Sequence, residues 1–282
     1  MIGTRFYKKS HISRIIPGFG LTMGISVTMM SLLVLIPLAS ILVYSLQLNA
    51  SDFLKLITND DIRNAFVTSI TCSLTAALIN CLFGLILAWV LVRYEFSGKK
   101  LLDGFIELPF ALPTAVAGIT LSKLYADAGW LGAPFAQAGL PIAYTKIGII
   151  IALIFVGIPY TVRSIQPVLE TLDPTYEEAG NMLGAGPFTI FRKIILPELQ
   201  PAICTGFGLA FARGLGEYGS VIYIAGNSAK NQTQVVSYVI MQKLNYVDYA
   251  SATAIALAML VIAFVTLLAI NILQIRQAER TV

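Results

Sequence analysis

Long uncharged stretches dominate the pattern of this 282-residue chain. Three of them, residues 15–51, 64–92 and 249–275, each exceed the roughly 20 residues that an α-helix needs to cross a bilayer. Two shorter stretches, 108–122 and 147–162, are flanked by lysine or arginine, whose long side chains can reach the membrane interface. The pattern therefore predicts at least five membrane-spanning helices.

A sixth apolar run, residues 199–225, is interrupted by Arg213 and Glu217. If its helix begins near Pro201, Arg213 lies about 18 Å along it, near the middle of a bilayer, and Glu217 lies one turn further. A charge there costs at least ~2.5–3.5 kcal/mol on insertion, so both side chains are expected to face the bundle interior. Two roles stay open. The residues form a structural ion pair, or Arg213 attracts a passing anion while Glu217 prevents tight binding.

Two prolines, Pro109 and Pro113, lie in the predicted third span and remove backbone donors there. They must kink the helix, and the freed carbonyl groups then need other partners. A broken helix around a polar pathway and a simple kink between packed helices both agree with this pattern. With Arg213 and Glu217, the two prolines form the predicted translocation-pathway set. Asp103 and Glu107 are expected to mark the solvated end of this span.

Composition supports the membrane assignment, since 57% of the residues are hydrophobic and 12% are charged. Soluble domains carry about 25% charged residues. No long basic run suggests nucleic-acid binding, although the net charge is +4. The single histidine, His11, and the scattered cysteines Cys72, Cys81 and Cys204 have no metal-ligand or nucleophile spacing. We therefore predict no metal site and no catalytic residues.

The distribution of lysine and arginine predicts the orientation. With the N-terminus inside, twelve of these residues fall on the cytoplasmic side and six on the other. Six spans then place both termini in the cytoplasm. In chain order, we predict a basic tail (1–14), a first span with an external loop (15–63), a five-span core (64–275) that contains a cytoplasmic connector (164–200), and a tail (276–282).

The connector carries signals for a short helix. Asp173-Pro174 is a helix start, with Asp173 as N-cap and Pro174 at the first helical position. Glu177 and Glu178 follow near the positive end of the helix dipole. Gly184 is expected to end the helix because glycine tolerates the left-handed conformation.

A second short helix, residues 188–195, is predicted after the turn at Gly186-Pro187, and Pro197 is expected to break it before the next span. The two helices would lie across the membrane face. Their apolar side chains are expected to be exposed and to need a partner surface; these are Met182, Leu183, Phe188, Ile190 and Phe191.

The connector resembles the "EAA" loop of ABC-importer permeases. The pattern Glu-Ala-Ala, three residues, Gly, nine residues, Ile-x-Leu-Pro is matched from Glu178 to Pro197, except that Gly180 replaces the second alanine. This replacement is expected to soften the helix by up to about 1 kcal/mol. The resemblance implies a helix that docks onto a cytoplasmic ATPase. The residues assigned to this coupling surface are Glu177, Glu178, Ala179, Gly180, Leu183, Gly184, Ala185 and Phe188. The alternative is an amphipathic hairpin that rests on lipid.

Further stretches narrow the resemblance. The sequences at 17–27, 108–118, 165–185 and 212–227 are similar to those of the T-type permease subunits of sulfate/thiosulfate importers, and molybdate permeases share parts of them. The resemblance implies an all-α, six-helix type I ABC-importer permease fold, as in molybdate and methionine importers. It also implies a homologous second permease, a cytoplasmic ATPase dimer, a periplasmic sulfate/thiosulfate-binding protein and a transported anion. The expected location is a bacterial inner membrane or a plastid membrane.

The chain lacks the phosphate-binding pattern G-x-x-x-x-G-K-[ST]; Ser97-Gly98-Lys99-Lys100 is only a basic turn. It is therefore not expected to be an enzyme, and it should hold no cofactor, because ATP and Mg²⁺ bind the partner ATPase. A molybdate or tungstate permease remains the nearest alternative. A secondary transporter or channel would predict inverted repeats, which the sequence does not convincingly show. A membrane scaffold would not need Arg213 and Glu217.

Overall fold

The computed structural model describes residues 19–281, and every regular element in this range is a helix. The predicted basic tail at 1–14 lies outside the described residues. The helices are α1 Phe19–Ser45, α2 Ala50–Thr58, α3 Asp60–Arg93, α4 Lys99–Ala111, α5 Thr114–Tyr125, α6 Gly132–Gln137, α7 Lys146–Thr171, α8 Thr175–Met182, α9 Pro187–Leu215, α10 Val221–Ile224, α11 Val236–Asn245 and α12 Tyr249–Thr281.

Five helices, α1, α3, α7, α9 and α12, are long and apolar enough to cross a membrane. The pair α4 and α5 makes a sixth span if the two helices cross together. This confirms the predicted all-α membrane architecture. The second span is longer than its uncharged core because Asn59 starts it: the Asn59 side chain accepts a hydrogen bond from the Asp61 amide, and Asp60 and Asp61 occupy the first turn.

The centre of the bundle is formed by α3, α7 and α9, which pack closely through small residues. Thr161 of α7 lies between two glycines. A Cβ atom on Gly84 of α3 would lie 2.7 Å from the Thr161 Cγ2 atom, and one on Gly206 of α9 would lie 2.9 Å from the Thr161 Cα atom. Small residues let backbones approach where lipid supplies no hydrophobic driving force between helices. These glycines therefore fix the spacing of the three central helices.

The third span is a broken helix rather than a simple kink, which is one of the two forms that Pro109 and Pro113 left open. The chain bends by 112° between α4 and α5. Leu112 is extended, with φ −84° and ψ 135°, as expected for a residue before a proline, and Pro113 lacks the N–H that would continue the helix. Pro109 lies inside α4 and is buried without ending it. Pro113, rather than Pro109, is therefore the position of the break.

The break predicted at Pro197 is wrong, because α9 runs through it without interruption. A π-helical turn, Phe191–Ile195, directly precedes this proline. The same arrangement recurs in α1, where the π-helical turn Ser31–Leu35 precedes Pro37. A wider turn moves the carbonyl group that a proline ring would strike in a regular helix. The second connector helix is therefore the first part of a long span.

Candidate functional site

The predicted connector forms a helical hairpin made of α8 and the first turns of α9. Helix α8 begins at Thr175, whose amide donates a 2.9 Å hydrogen bond to the Asp173 Oδ1 atom. Hydrogen bonds from the backbone and side chain of Thr175 lower the pKa of the Asp173 carboxyl group. Glu177 and Glu178 lie in the first turn, where the helix dipole favours negative charge. The predicted start at Asp173-Pro174 is correct to within one residue.

Gly184 ends helix α8, as the sequence predicts. Its φ is +78°, in the left-handed region. The Gly184 amide donates to the Asn181 carbonyl oxygen at 2.9 Å, and the Ala185 amide donates to the Gly180 carbonyl oxygen at 3.0 Å. These two bonds form a Schellman motif, which satisfies carbonyl groups at the helix end and reverses the chain.

Gly180 is buried and faces the second arm of the hairpin. A Cβ atom on Gly180 would lie 3.1 Å from the Ile190 Cγ1 atom and 3.2 Å from the Ile194 Cδ1 atom. Ile190 in turn belongs to a buried cluster with Leu91 and Leu169. From the sequence, Gly180 was expected only to soften the helix. In the structure, its missing side chain also lets the two arms of the hairpin approach each other closely.

The tip of the hairpin exposes large apolar side chains. Met182 and Leu183 are 90% and 88% exposed, and Phe188 is 73% exposed. The expectation that Ile190 and Phe191 are exposed is wrong. Ile190 is buried, and Phe191 is half-buried because both arms fold back onto the bundle. Among the predicted coupling residues, Glu178, Ala179, Leu183, Gly184 and Phe188 are exposed, Glu177 and Ala185 are half-buried, and Gly180 is buried.

An ion pair that the sequence did not predict joins the hairpin to the bundle. The Arg93 guanidinium group, at the end of α3, pairs with the Glu177 carboxylate of α8. Arg93 also lies over the Trp89 ring, 5.7 Å from its centroid. Trp89 makes an edge-on contact with Phe191 at a centroid distance of 5.6 Å. In the sequence, Arg93 is only one of several charges at a span end, so its partner could not be identified there.

Arg213 and Glu217 do form an ion pair, but their predicted placement on one continuous helix is wrong. Helix α9 begins at Pro187 and ends at Leu215, so Arg213 lies in its last turn and Glu217 lies beyond it. The prediction took Pro201 as the start of the helix. The pair thus spans the end of the helix.

Glu217 is 2% exposed and its carboxylate organises the turn that follows α9. Its Oε1 atom accepts hydrogen bonds from the Ser220 amide at 2.8 Å and the Ser220 hydroxyl at 2.9 Å. Its backbone oxygen accepts a 2.7 Å bond from the Ser237 hydroxyl. Buried carboxylates need such partners, and Arg213 supplies the opposite charge. This geometry favours the structural role for Glu217, while the Arg213 side chain remains one-third exposed.

The turn after α9 contacts the break in the third span. A Cβ atom on Gly219 would collide with the Thr114 side chain, which follows Pro113 directly, and one on Gly118 would collide with the Ser220 backbone. The structure therefore brings Pro113 close to the turn that holds Glu217.

Pro109 lies in α4. A second set of ion pairs joins this helix to α7. Arg163 of α7 binds the Asp103 and Glu107 carboxylates, each at 2.8 Å. These two acids are thus not simply solvated, as the sequence suggested. They are four residues apart on one face of α4, so a single guanidinium group reaches both.

Comparison with known proteins identifies the family. Residues 80–281 match the family model for the binding-protein-dependent transport system inner membrane component. The chain belongs to this family. The matched region contains the hairpin, α9, the break at Pro113 and the turn that follows α9.

Relatives of this permease include the sulfate transport system permease protein CysT of Salmonella typhimurium. The two are 43% identical over 269 residues, which cover 95% of this chain and 97% of the relative. The probable sulfate transport system permease protein of Marchantia polymorpha is 47% identical over 214 residues, covering 76% and 74%. A chain of a bacterial alginate ABC transporter has the same fold, with a TM-score of 0.76, 18% identity and coverage of 95% and 98%.

Proposed function

We propose that this permease is the transmembrane subunit of an ATP-driven importer for sulfate and thiosulfate. The names of its relatives supply sulfate as the substrate, and the resemblance of its sequence motifs adds thiosulfate. The observation that carries the coupling role is the tip of the hairpin, where Met182, Leu183 and Phe188 are exposed next to the hydrogen-bonded Gly184 turn. An apolar patch held on a fixed support suits a protein groove, because its shape does not change on docking.

The proposed partner at this tip is a cytoplasmic ATPase dimer, which binds ATP and Mg²⁺. Closure of the ATPases moves the hairpin, and the spans then switch from an inward-facing to an outward-facing arrangement. A second, homologous permease completes the pathway, and a periplasmic binding protein delivers the anion. The bilayer is a bacterial inner membrane or a plastid membrane. Arg213, Pro109 and Pro113 stay proposed pathway residues, and Glu217, also in the predicted set, would act there by holding Arg213 in place.

Two features favour a hairpin that docks onto a protein partner over an amphipathic hairpin that rests on lipid. The tip is apolar, but Glu178 and Asn181 are also exposed on α8, and the hairpin is tied to the bundle through Glu177. An interfacial lipid-binding helix instead carries lysine and arginine on its polar face. Helix α8 contains no basic residue, and the basic residues of the hairpin, Arg192 and Lys193, lie on its second arm in the π-helical turn Phe191–Ile195.

Uptake in a strain that lacks its own sulfate permease tests the substrate. Expression of this chain with its partner subunits should restore growth on sulfate as the sole sulfur source and uptake of labelled sulfate. Molybdate-dependent enzyme activity in a molybdate-transport deletion strain is the matched comparison. Restoration of molybdate-dependent activity without sulfate uptake would replace the proposal with a molybdate or tungstate permease. Uptake that persists without the ATPase subunit would point to a secondary transporter.

A further inference from the structure

We propose that α3 connects the ATPase-docking hairpin to the opposite face of the permease, and that Arg93 is the positioning residue that fastens the two. This inference rests on the proposed function, because it assigns a residue to the coupling step. Its test separates the loss of coupling from the loss of transport as such.

The first observation is the contact at the hairpin end of α3. Arg93 pairs with Glu177, and their side chains are only 20% and 28% exposed. The same guanidinium group lies over Trp89. Exposed ion pairs contribute little, but water is largely kept from this pair and the aromatic ring restrains the arginine. The contact therefore holds α8 at a fixed position on α3.

The second arm of the hairpin is held by the same helix end. Trp89, one turn before Arg93, contacts the Phe191 ring edge-on. Phe191 begins the π-helical turn of α9. Because one turn of α3 touches both arms, a movement of the hairpin cannot leave the end of α3 in place without breaking one of these contacts.

The third observation lies near the other end of α3. The Thr68 hydroxyl donates a 3.0 Å hydrogen bond to the Gln232 carbonyl oxygen, and the Ser69 hydroxyl accepts a 2.8 Å bond from the Val236 amide. These bonds hold the segment 232–236, which leads into α11. Ser69 and Arg93 are about 36 Å apart along the axis at 1.5 Å per residue. A displacement of α3 would therefore reach the segment 232–236 on the far side.

Helix α3 is suited to transmit such a displacement. It contains no proline between Asp60 and Arg93, whereas α7 and α9 contain internal prolines and α4 and α5 are separated by a sharp bend. Sharp bends in helices arise mainly at prolines and π-helical turns. If α3 couples the two faces, binding on the far face and binding at the hairpin change each other's affinity by the same factor. We therefore expect a binding protein seated on the far face to favour the docked arrangement of the hairpin through Arg93, and so to stimulate the ATPase.

The test uses the complete transporter in proteoliposomes. ATP hydrolysis is measured with and without sulfate-loaded binding protein, together with sulfate uptake. For Arg93→Ala we expect basal ATP hydrolysis to persist, while its stimulation by the binding protein and the uptake of sulfate each fall by about tenfold. A tenfold loss lies within the range by which mutations along connected elements change the coupling between two sites. Lys99→Ala is the matched control, since Lys99 pairs with Glu95 at 2.7 Å without touching the hairpin. It should keep full stimulation.

Charge exchange separates positioning from a general structural role. Arg93→Glu should lose stimulation, and adding Glu177→Arg should restore part of it, since the exchange keeps the ion pair but loses the contact of Arg93 with the Trp89 ring. Glu177→Gln, which keeps the side-chain shape, should also lose stimulation; it supplies the test if Arg93→Ala does not assemble. Stimulation of Arg93→Ala or Glu177→Gln equal to that of Lys99→Ala would overturn the inference, as would no recovery in the exchanged pair. If the unmodified transporter shows no sulfate-dependent stimulation, the proposed function itself is wrong.

Discussion

Gly118 lies directly against the backbone of Ser220, so the two interruptions in the helical core are in contact. A Cβ atom on Gly118 would lie 2.7 Å from the Ser220 Cα atom. Gly118 follows the break at Pro113, and Ser220 belongs to the turn that Glu217 organises. Neither interruption can therefore change shape without displacing the other.

Gly118→Ala is expected to destabilise the permease strongly, because a backbone cannot move aside as a flexible side chain can. Overpacking of a well-packed site costs typically 1–3 kcal/mol, and this site should lie at the upper end of the range. The measurement is the fraction of protein that is monodisperse after heating in detergent. Gly104→Ala is the control, since a Cβ atom there has no neighbour within 4 Å. Equal behaviour of the two variants would contradict the contact.

Gly184→Val should uncouple transport while the protein still reaches the membrane. The space around Gly184 is open, so the cost is conformational: a left-handed φ costs a residue with a side chain about 1–2 kcal/mol. Gly184→Asn is the control because asparagine tolerates this conformation. Co-purification with the ATPase subunit should fall for valine and persist for asparagine. Normal uptake by the valine variant would exclude a coupling role for the Gly184 turn.

The sequence predicted the hairpin start and stop well because both depend on local chemistry. Asp173 supplies an acceptor to the next amides, and Gly184 supplies a conformation that other residues avoid. The uncharged runs likewise identify the spans, since lipid requires about 20 apolar residues. Such features need no knowledge of distant contacts.

The errors arose where the outcome depends on neighbouring turns or distant partners. Proline interrupts the chain at Pro113 but not at Pro197, because a π-helical turn accommodates the latter. The pattern of apolar residues does not show that turn. The Arg93–Glu177 pair joins residues 84 positions apart, and the burial of Ile190 depends on the fold of both arms. Only the assembled bundle determines these contacts.

Gly180→Ala restores the residue that the family pattern prefers, yet we expect it to lower stability. Alanine favours the helix by up to about 1 kcal/mol over glycine. Its Cβ atom would lie 3.1 Å from the Ile190 side chain, and the cost of overpacking, typically 1–3 kcal/mol, is the larger effect. The combined variant Gly180→Ala, Ile194→Val removes the Ile194 Cδ1 atom, which would lie 3.2 Å from the new Cβ atom, and should recover part of the loss. Thermal stability in detergent is the measurement; a single variant more stable than the parent protein would show that Ile190 can move aside.

Arg213 and Glu217 allow the structural and pathway roles to be separated. Arg213→Ala leaves the buried Glu217 carboxylate without its cation; breaking a fully buried pair costs about 3–5 kcal/mol, and the cost here is smaller because Arg213 is one-third exposed. We expect little folded protein in the membrane. The double variant Arg213→Met, Glu217→Gln removes both charges. The amide oxygen of the introduced glutamine can still accept hydrogen bonds from Ser220, so folded protein should return.

Sulfate uptake by this double variant then decides the role of Arg213. Uptake per folded transporter near the parent value would mean that the pair is structural and that no charge is needed at this position. Uptake reduced by about tenfold or more, with normal folding and ATPase docking, would mean that Arg213 acts on the anion, because a charged hydrogen bond contributes about 1.5–3 kcal/mol. Arg213→Lys gives a further distinction. Lysine keeps the charge, so it should preserve an anion site better than methionine does, while it pairs less well with the buried Glu217.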